Sequence, residues 1–538
     1  MLIWISVVNY SDSSTVRISR MAIAGQTIVI FIVWFQFCVS QIIAGVMLSN
    51  SISDEIYHKT LGLLMTTPIN SFQIVMGKLL SKLLQTFLLM AISLPLLAII
   101  RVFGGIPWDY LISSLCITFS TIFFIGSLSL FFSIFCRRTY VTIIITILTI
   151  SAAFALFPIL FWLLVETMNL DRMIPEKILT GVTFIPNPYL TMFLNTLEAI
   201  EPQNTSGIFY SWPINCGIIL GTSAFLLSLS VIFVRKVALS QVNGQAIITI
   251  GRKQKYINPV IRRVKDPPVL WKELRHSTLG SHKIRTIIFL LIALGLLFLT
   301  YWLCAKDNIL DEKGTHILYA IIFLGLGILF TIIYPATNIT SEKEARSWHL
   351  LLTTTLDEKQ ILSGKFIGNL RRLLPAWCLL FGHVIIFSLD GMIHPVAIFQ
   401  YCILVTWIVV FLSCTGMYFS ARFKRTTTAV VMNFILALSI WAVIPLVLSF
   451  IVEIIRNGYS DGWIELYYDT NPFVQAVVIM DAVFSGSRWQ INNYNWVSFR
   501  QMDVVESTAW MLGCLTIYTF LGLLFARRAK YLLRRNIF

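Results

Sequence analysis

The chain contains two copies of one polar segment, and each copy lies between long apolar runs. The first copy reads SDEIYHKTLGLLMTTPINSFQIVMGK (53–78), and the second reads TSEKEARSWHLLLTTTLDEKQILSGK (340–365). Six of the nine identical positions are not apolar, so shared hydrophobicity does not explain the match. An internal duplication explains it and predicts two related halves. The identical positions, all 287 residues apart, are Glu55/Glu342, Leu63/Leu350, Leu64/Leu351, Thr66/Thr353, Thr67/Thr354, Gln73/Gln360, Ile74/Ile361, Gly77/Gly364 and Lys78/Lys365.

The apolar runs predict a membrane protein. Hydrophobic residues make up 57% of the 538 residues and charged residues only 12%, whereas a soluble domain carries about 25% charged residues. Runs near the roughly 20 residues that cross a bilayer recur along the whole chain. We therefore predict an all-α polytopic protein. Its expected spans lie near 21–48, 79–100, 110–135, 140–165, 212–234, 286–304, 316–337, 372–390, 396–419, 427–452 and 509–525.

The charge distribution predicts the orientation. The net charge is +15, and Lys and Arg concentrate in alternate loops that include 235–285 and the tail from Ala526. The opposite loops, 166–211 and 453–508, mix Asp and Glu with few basic residues. Cytoplasmic loops carry such an excess of basic residues, so we expect both polar segments and the C-terminus in the cytoplasm of a cell (inner) membrane protein. No basic stripe with interleaved aromatics points to nucleic acid.

A second duplicated motif fixes the relation between the halves. FFSIFCRRT (131–139) matches YFSARFKRT (418–426) at the same offset of 287. Because both polar segments lie on one side, the repeats are parallel. We predict two pseudo-symmetric six-helix bundles, 1–240 and 286–538, with a shortened first helix in the first half; a divergent start is the alternative. Between them, 241–285 is expected to be a basic cytoplasmic linker with an amphipathic helix.

Each polar segment also predicts a local structure. In the first copy, Leu61–Met65 suits a short helix that Pro68 ends, because proline cannot continue a helix. Asn70 or Ser71 can then cap a second helix that runs into the next span. The expected product is a helical hairpin at the membrane surface with its turn in the cytoplasm. Asn-Pro pairs at 187–188 and 471–472 are expected to begin re-entrant or surface helices on the other side.

These segments resemble the coupling-helix region of ABC-2 type transporter permeases. The shared features are a Glu, a Thr or Ser five positions later, an LLLTTP-like turn and a closing Gly-Lys. The stretch WKEL (271–274) similarly resembles that family's connecting helix. Gly62 and His349 stand where the family commonly has a second Glu, and Thr355 replaces the usual Pro. The residues expected to couple to an ATPase are Glu55, Thr60, Leu64, Thr66, Thr67, Pro68, Glu342, Glu344, Leu351, Thr353, Thr354 and Thr355.

The resemblance implies the membrane-spanning permease subunit of an ATP-driven exporter of an amphipathic or lipid-like substrate. The chain lacks a G-x-x-x-x-G-K-[ST] motif, so two separate nucleotide-binding ATPase subunits are expected to hold ATP and Mg²⁺. We expect no catalytic residue, cofactor or metal in the chain itself. Lys78 and Lys365 are expected to snorkel at the start of a helix, and His383 to be a hydrogen-bonded core residue.

Two other functions remain open alternatives. The first is an ATP-independent secondary transporter or channel, although such carriers usually need carboxylates within their spans and none lies in the middle of a predicted span. The second is a membrane-embedded enzyme, which needs a converging set of catalytic residues, and the sequence offers none. A bound ATPase subunit distinguishes the permease from both.

Overall fold

The computed structural model describes most of the chain, and the described part is helical. It covers residues 14–57, 60, 68–101, 106–136, 139–168, 181, 183, 185–200, 211–242, 266–275, 283–448, 462–484, 491–498 and 501–535. Within these ranges, ten helices are long and apolar enough to cross a membrane, and extended pairing is limited to isolated bridges. The predicted all-α polytopic fold is therefore confirmed.

The chain forms two compact units. The first comprises Met1–Asn258 with Leu446–Tyr459, and the second comprises Pro259–Pro445 with Ser460–Phe538. Much of the predicted linker lies outside the described residues. The expectation of a shortened first helix falls before Ser14 and also lies outside them.

The first unit contains eight α-helices in the described ranges, and a single π turn, Ala152–Leu156, joins two of them into one long helix. They are α1 Ser14–Leu48, α2 Ser53–Tyr57, α3 Ser71–Arg101, α4 Trp108–Phe135, α5 Thr139–Ser151, α6 Phe157–Thr167, α7 Pro188–Ile200 and α8 Trp212–Val242.

We number eleven α-helices in the described ranges of the second unit, and one of them continues through a π turn, Ser439–Val443, as far as Leu448. They are α9 Pro268–Arg275, α10 Lys283–Lys306, α11 Lys313–Asn338, α12 Thr340–Glu344, α13 Trp348–Leu352, α14 Glu358–Leu389, α15 Val396–Arg422, α16 Thr426–Leu438, α17 Gly462–Asp469, α18 Pro472–Val483 and α19 Val504–Arg535.

The duplication extends to individual helix ends. Helices α2 and α12, helices α5 and α16, and the two π turns all begin and end at positions 287 apart. Helices α3 and α14 also begin 287 residues apart, at Ser71 and Glu358. The π turns share this register although their sequences, AAFAL and SIWAV, differ at most positions. The two halves therefore share a backbone plan that reaches well beyond the identical residues.

Helix α4 lies at the centre of the first unit, as α15 does in the second. Buried Ser120, Ser127 and Ser129 line α4, and small residues let neighbouring helices approach closely in a membrane. Ser120 and Ser127 donate to carbonyls of the preceding turn, whereas Ser129 donates to the Gly45 carbonyl of α1 at 2.7 Å. The central helix is thus packed through small hydroxyl side chains whose hydrogen bonds are satisfied.

Helix α3, by contrast, turns large apolar side chains outward. Leu84, Leu88 and Ile92 are all more than half exposed. A contiguous exposed face of this kind is unfavourable in water but is the natural surface of a helix that contacts lipid tails. The exposure pattern agrees with the hydropathy of the sequence.

Where the structure describes them, the eleven predicted spans lie on helices to within one residue of their ends, and several of the helices are longer than predicted. Ten correspond to helices that meet the membrane-span criteria; the other, 286–304, lies within α10. Helices α3 and α14 begin well before the predicted 79–100 and 372–390. The second arm of each polar segment is therefore continuous with the span that follows it.

His383 is a buried, hydrogen-bonded core residue, as predicted. Its Nδ1 lies 2.6 Å from the Tyr301 hydroxyl, and its Nε2 lies 3.4 Å from Nδ1 of His316. His316 Nε2 in turn lies 2.9 Å from the Leu310 carbonyl, which can only accept. The chain of donors therefore runs from Tyr301 through His383 and His316 to that carbonyl, with one proton on each imidazole.

Candidate coupling site

The second polar segment folds as a chain of short helices that leads into α14. Helix α12 follows α11 almost directly, and Arg346, with φ of 55°, turns the chain into α13. Residues Thr353–Thr355 form the exposed turn before α14. The equivalent short helix predicted at Leu61–Met65 in the first copy lies outside the described residues. We call residues 340–357 the hairpin segment.

One side of α13 is buried and the other is exposed. Trp348 is only 2% exposed and packs in a cluster with Val269, Ile361 and Leu533. Leu350, two residues later, is 70% exposed. A buried tryptophan fixes the helix because it removes a large apolar area from water. The exposed face, together with the turn, is thus held in a defined position.

The start of the following helix is capped in the same way in both copies. The side-chain oxygen of Gln360 accepts from the Asp357 backbone N–H at 3.3 Å, in a capping box. In the first copy, Gln73 accepts from the Asn70 backbone N–H at 3.0 Å. Such contacts satisfy a backbone donor that the helix itself leaves without a partner. The identity of Gln73 and Gln360 therefore has a structural cause.

An ion pair joins the beginning and the end of each polar segment. Glu55 Oε1 lies 2.8 Å from Lys78 Nζ, and Glu342 Oε1 lies 3.0 Å from Lys365 Nζ. Each pair ties the short helix α2 or α12 to the long helix α3 or α14. The expectation of snorkelling is wrong for Lys365: its side chain is 1% exposed, because two carboxylates neutralise its charge in place of water. For Lys78, whose side chain is 35% exposed, it stays a prediction.

The glutamates also close a turn at the same spacing. The backbone carbonyl of Glu55 accepts from the Thr60 N–H at 3.0 Å, and that of Glu342 accepts from the Ser347 N–H at 3.0 Å. Both hydroxyls lie 3.4 Å from the same carbonyls, and the Thr60 hydroxyl also donates to the Glu55 carboxylate. The Glu with a Thr or Ser five residues later is therefore the signature of a closed turn.

In the second unit, the amphipathic helix α9 joins this ion pair. Glu273 Oε1 lies 3.3 Å from Lys365 Nζ, and its Oε2 lies 2.5 Å from Arg372 Nη2. Lys272 Nζ lies 2.8 Å from Glu342 Oε1. Each of the two carboxylates thus has two cationic partners. Such sharing offsets the desolvation that makes isolated buried charges unfavourable.

Two glycines of α14 allow α9 to approach. A Cβ on Gly368 would lie 2.6 Å from Cβ of Glu273, and one on Gly364 would lie 3.0 Å from Cβ of Val269. A side chain at Gly368 would therefore displace α9. In the first copy, a Cβ on Gly77 would meet no described atom within 4 Å. The Gly-Lys pair is shared, but the helix packed on it is described in the second unit alone.

The hairpin segment also contacts the connector between α15 and α16. Lys343 Nζ donates to the carbonyls of Ser420 and Phe423 at 3.0 Å each, and also to that of Ala421. Glu344 accepts from the Thr426 backbone N–H at 2.6 Å. Cations at a helix C-terminus and anions at a helix N-terminus are both favourable. A displacement of α12 would therefore act on the ends of two spans.

The structure separates the predicted coupling residues into two groups. Glu55 and Glu342 pair with lysines of their own segments, and Glu344 accepts from the first residue of α16. These three residues therefore hold the polar segments against the neighbouring helices. Pro68 and Thr353–Thr355 are exposed, and Leu351 is partly buried in the cluster around Trp348. Leu64, Thr66 and Thr67 lie outside the described residues. A docking role for any of them stays a prediction.

Sequence reasoning missed Lys343, Glu273 and Arg372. Lys343 aligns with Ile56, so the duplication gave no signal for it. Glu273 lay within the recognised WKEL stretch, but its partners are far away in sequence. An acidic residue on an otherwise basic amphipathic helix was the available clue. Among the described residues, no group of three or more His, Cys, Asp or Glu could hold a metal ion.

The chain was compared with known proteins. The family model described as ABC-2 family transporter protein matches it twice, over residues 9–242 and over residues 234–531. No curated protein and no solved structure matched. The two matches together cover nearly all of the chain and divide it as the internal duplication does. The chain therefore belongs to the ABC-2 transporter family and carries two family segments in tandem.

Proposed function

We propose that the chain is the permease subunit of an ATP-driven exporter and that two separate ATPase subunits dock on its duplicated polar segments. Membership of the ABC-2 family makes it a membrane permease component of an ABC transporter. The ATPases would hold ATP and Mg²⁺ and would lie in the cytoplasm, on the side that the basic loops favour for the polar segments. The coupling residues would be the exposed ones, Pro68 in the first copy and Leu350 with Thr353–Thr355 in the second.

The observation that carries the proposal is the anchoring of an exposed turn. In the second unit, Trp348 is buried and Lys365 pairs with Glu342, yet Leu350 and the turn remain exposed. A loop that merely connects two spans needs no such support. A surface that receives force from a partner needs it, because a mobile contact would absorb the displacement.

Two sets of contacts support a route for that force. Helix α14 is continuous from Glu358 at the turn to Leu389, so it would move as a lever when the turn is pushed. Lys343 and Glu344 would pass the same displacement to the ends of α15 and α16. Closure of the ATPase pair would then tilt the spans of each half and alternate access to the substrate path.

An amphipathic or lipid-like substrate fits the apolar character of the spans. The first unit has an open cavity of about 690 Å³ between α3, α4 and α8, and its lining is almost entirely apolar. Phe87, Phe119 and Trp212 line it. An apolar chain can enter such a space without leaving a buried polar group unpaired. The apolar lining of the cavity supports an amphipathic or lipid-like substrate. The outward direction of transport is inferred from the family resemblance alone.

The test is a binding experiment on the exposed face of α13. Leu350→Arg is expected to reduce co-purification of the ATPase at least about tenfold, because a charge would be buried in an apolar contact. Val505→Arg is the matched control: Val505 is 78% exposed but lies at the start of α19, the end opposite the hairpin segment. Equal ATPase recovery with both variants, or substrate flux without ATP, would overturn the proposal; the latter would indicate a secondary transporter or channel.

A further inference from the structure

A proline deprives one helix carbonyl of its donor in each unit. In an α-helix a carbonyl accepts from the N–H four residues later, and the residues four positions after Phe154 and Trp441 are Pro158 and Pro445. Proline has no N–H, so neither carbonyl has its α-helical donor. Both carbonyls belong to the π turns and lie within candidate membrane spans. Each therefore needs a partner from outside its helix, because lipid offers no hydrogen bond to an unpaired backbone group.

An asparagine side chain is that partner in both units. Asn187 Nδ2 donates to the Phe154 carbonyl at 2.6 Å, and Asn471 Nδ2 donates to the Trp441 carbonyl at 2.7 Å. The two contacts join residues 33 and 30 positions apart in the chain, so the connection is shorter in the second unit. The contact is retained although the chain between its partners differs in length. This retention indicates that the contact itself is required.

The same asparagines cap the helices that follow them. As predicted, a helix begins at the proline of each Asn-Pro pair, α7 in the first unit and α18 in the second. Asn187 Oδ1 accepts from the Tyr189 N–H at 3.0 Å, and Asn471 Oδ1 accepts from the Phe473 N–H at 3.0 Å. A cap alone needs only an acceptor. The donor half of the amide is what joins the first turn of the helix to a span.

In the second unit, another side chain reinforces the contact. The α-helical donor of the Ile440 carbonyl would be the Ile444 N–H, but in the π turn this N–H donates to the Ser439 carbonyl. The Tyr467 hydroxyl of α17 donates to the Ile440 carbonyl at 2.5 Å. Two neighbouring carbonyls of this π turn are therefore bound by the segment that leads into α18.

Helices α7 and α18 each lie at the end of their unit that is remote from the polar segment. The Thr196 hydroxyl of α7 lies 3.3 Å from the Tyr110 hydroxyl in the first turn of α4. The Val483 carbonyl at the end of α18 accepts from the His394 N–H at 3.0 Å, in the connector between α14 and α15. Helices α4 and α15 begin after the ends of α3 and α14 that are far from the polar segments. Both helices are therefore distant from the proposed ATPase docking surface.

We propose that Asn187 and Asn471 are positioning residues that tie α7 and α18 to their spans throughout the transport cycle, so that each of these helices moves with its span as one body. The proposal rests on the proposed function of the chain. Because proline prevents the span from satisfying the carbonyl itself, breaking the contact would leave that carbonyl unpaired within the bilayer. The contact is therefore kept while the span tilts. A tilt that begins at the polar segment would thereby displace a helix at the opposite end of the unit.

A pair of substitutions separates the tie between the helices from the satisfaction of the carbonyl. Asn187→Ser keeps a helix cap, but serine is too short to reach the Phe154 carbonyl as well. Adding Pro158→Ala gives position 158 the N–H that an α-helix directs at residue 154, so the double variant has a donor for the carbonyl but no tie. Pro158→Ala alone is the matched control, because a carbonyl with two lone pairs can also keep its asparagine. Asn471→Ser and Pro445→Ala form the equivalent set in the second unit.

The readouts are the melting temperature and a spin-label distance, measured on the full-length protein in lipid nanodiscs with its co-purified ATPase. The labels are attached through p-acetylphenylalanine at Phe193 of α7 and Trp162 of α6, which are 50% and 53% exposed. The wild type and Pro158→Ala are expected to show one narrow distance that is the same without nucleotide and after vanadate trapping with ATP. Each Asn→Ser variant is expected to melt about 1–5 °C lower, and the added Pro→Ala to restore the melting temperature. The double variant Asn187→Ser/Pro158→Ala is nevertheless expected to show a distance distribution at least about twofold broader, which shifts on trapping.

Two results would overturn the proposal. One is a double variant whose distance distribution is as narrow as that of the wild type, because the asparagine would then only satisfy a carbonyl. The other is a wild-type distance that changes on trapping while the complex hydrolyses ATP, because α7 and its span would then move separately. If no ATPase binds at all, the proposed function fails instead, and a broader distribution in the nucleotide-free double variant would still support the tie between α7 and its span.

Discussion

Lys365 and Glu342 form a buried ion pair of 3.0 Å that joins the hairpin segment to α14, and Lys78 and Glu55 form its counterpart at 2.8 Å. The pairs share one geometry but differ in exposure. The Lys365 side chain is 1% exposed, whereas that of Lys78 is 35% exposed. The same ion pair therefore lies in a buried environment in one copy and in a partly hydrated one in the other. Its contribution to the free energy of unfolding can be compared between the two.

The first prediction concerns that difference. Lys365→Met leaves Glu342 and Glu273 buried with less compensation, so the free energy of unfolding is expected to fall by about 3–5 kcal/mol. Lys78→Met is the matched control and is expected to change it by about 1 kcal/mol or less, since the pair is partly hydrated. Thermal melting in detergent measures both. Equal losses would show that burial does not set the strength of these pairs.

A second prediction concerns the approach of α9 to α14. Gly368→Ala places a Cβ 2.6 Å from Cβ of Glu273 and is expected to destabilise the protein by about 1–3 kcal/mol. Gly77→Ala has no described atom in its way and is expected to be neutral or to stabilise by about 0.5–1 kcal/mol. Limited proteolysis within 266–275, together with melting, reports the change. Intact protection of α9 in Gly368→Ala would contradict the packing.

The third prediction separates coupling from stability. Lys343→Met removes the donor that holds three carbonyls at the end of α15. We expect ATP hydrolysis by the complex to continue while transport per ATP falls at least about fivefold, since the hairpin segment would no longer displace α15. Lys343→Arg retains a charged donor and is expected to recover part of the transport. If transport per ATP is unchanged in Lys343→Met, the force does not pass through this residue.

The histidine chain of the second unit supplies a fourth prediction. Tyr301→Phe removes the donor to His383 Nδ1 and leaves a buried acceptor without its partner, which is expected to cost about 1–3 kcal/mol. Tyr418→Phe is the control, because its hydroxyl accepts only a 3.4 Å contact from exposed Arg422. Melting temperatures compare the two. A smaller loss in Tyr301→Phe than in the control would contradict the proposed order of donors.

The amino-acid sequence predicted the elements that local rules determine. Apolar runs located the spans, and the repeated Glu, Gln and Gly-Lys positions located the polar segments. The structure then assigned a cause to the identities: Gln73 and Gln360 complete caps, and the Glu–Lys pairs close each segment. The caps span three residues, so their spacing is visible in the sequence. The ion pairs span 23 residues, and although their residues were singled out, the contacts themselves were not predicted.

Contacts between distant segments were not predictable in this way. Lys365 was expected to snorkel, and its contact with Glu273, 92 residues away, was not predicted. The π turns were not predicted, although Pro158 and Pro445, which are 287 residues apart, leave the carbonyls of Phe154 and Trp441 without a helical donor. Asn187 and Asn471 bind those carbonyls from distant parts of the chain. Lys343 is present in one half only. Tertiary packing, rather than local preference, decides each of these features.

The most direct test of the account is photo-crosslinking from the exposed turn. A benzoylphenylalanine at Thr354, and a second at Pro68, would be activated in membranes that contain the complex, with Val505 as the control position. The account predicts that both turn positions crosslink to a polypeptide that azido-ATP also labels, and that Val505 does not. Crosslinking of that ATPase from Val505 but not from the turns would contradict it.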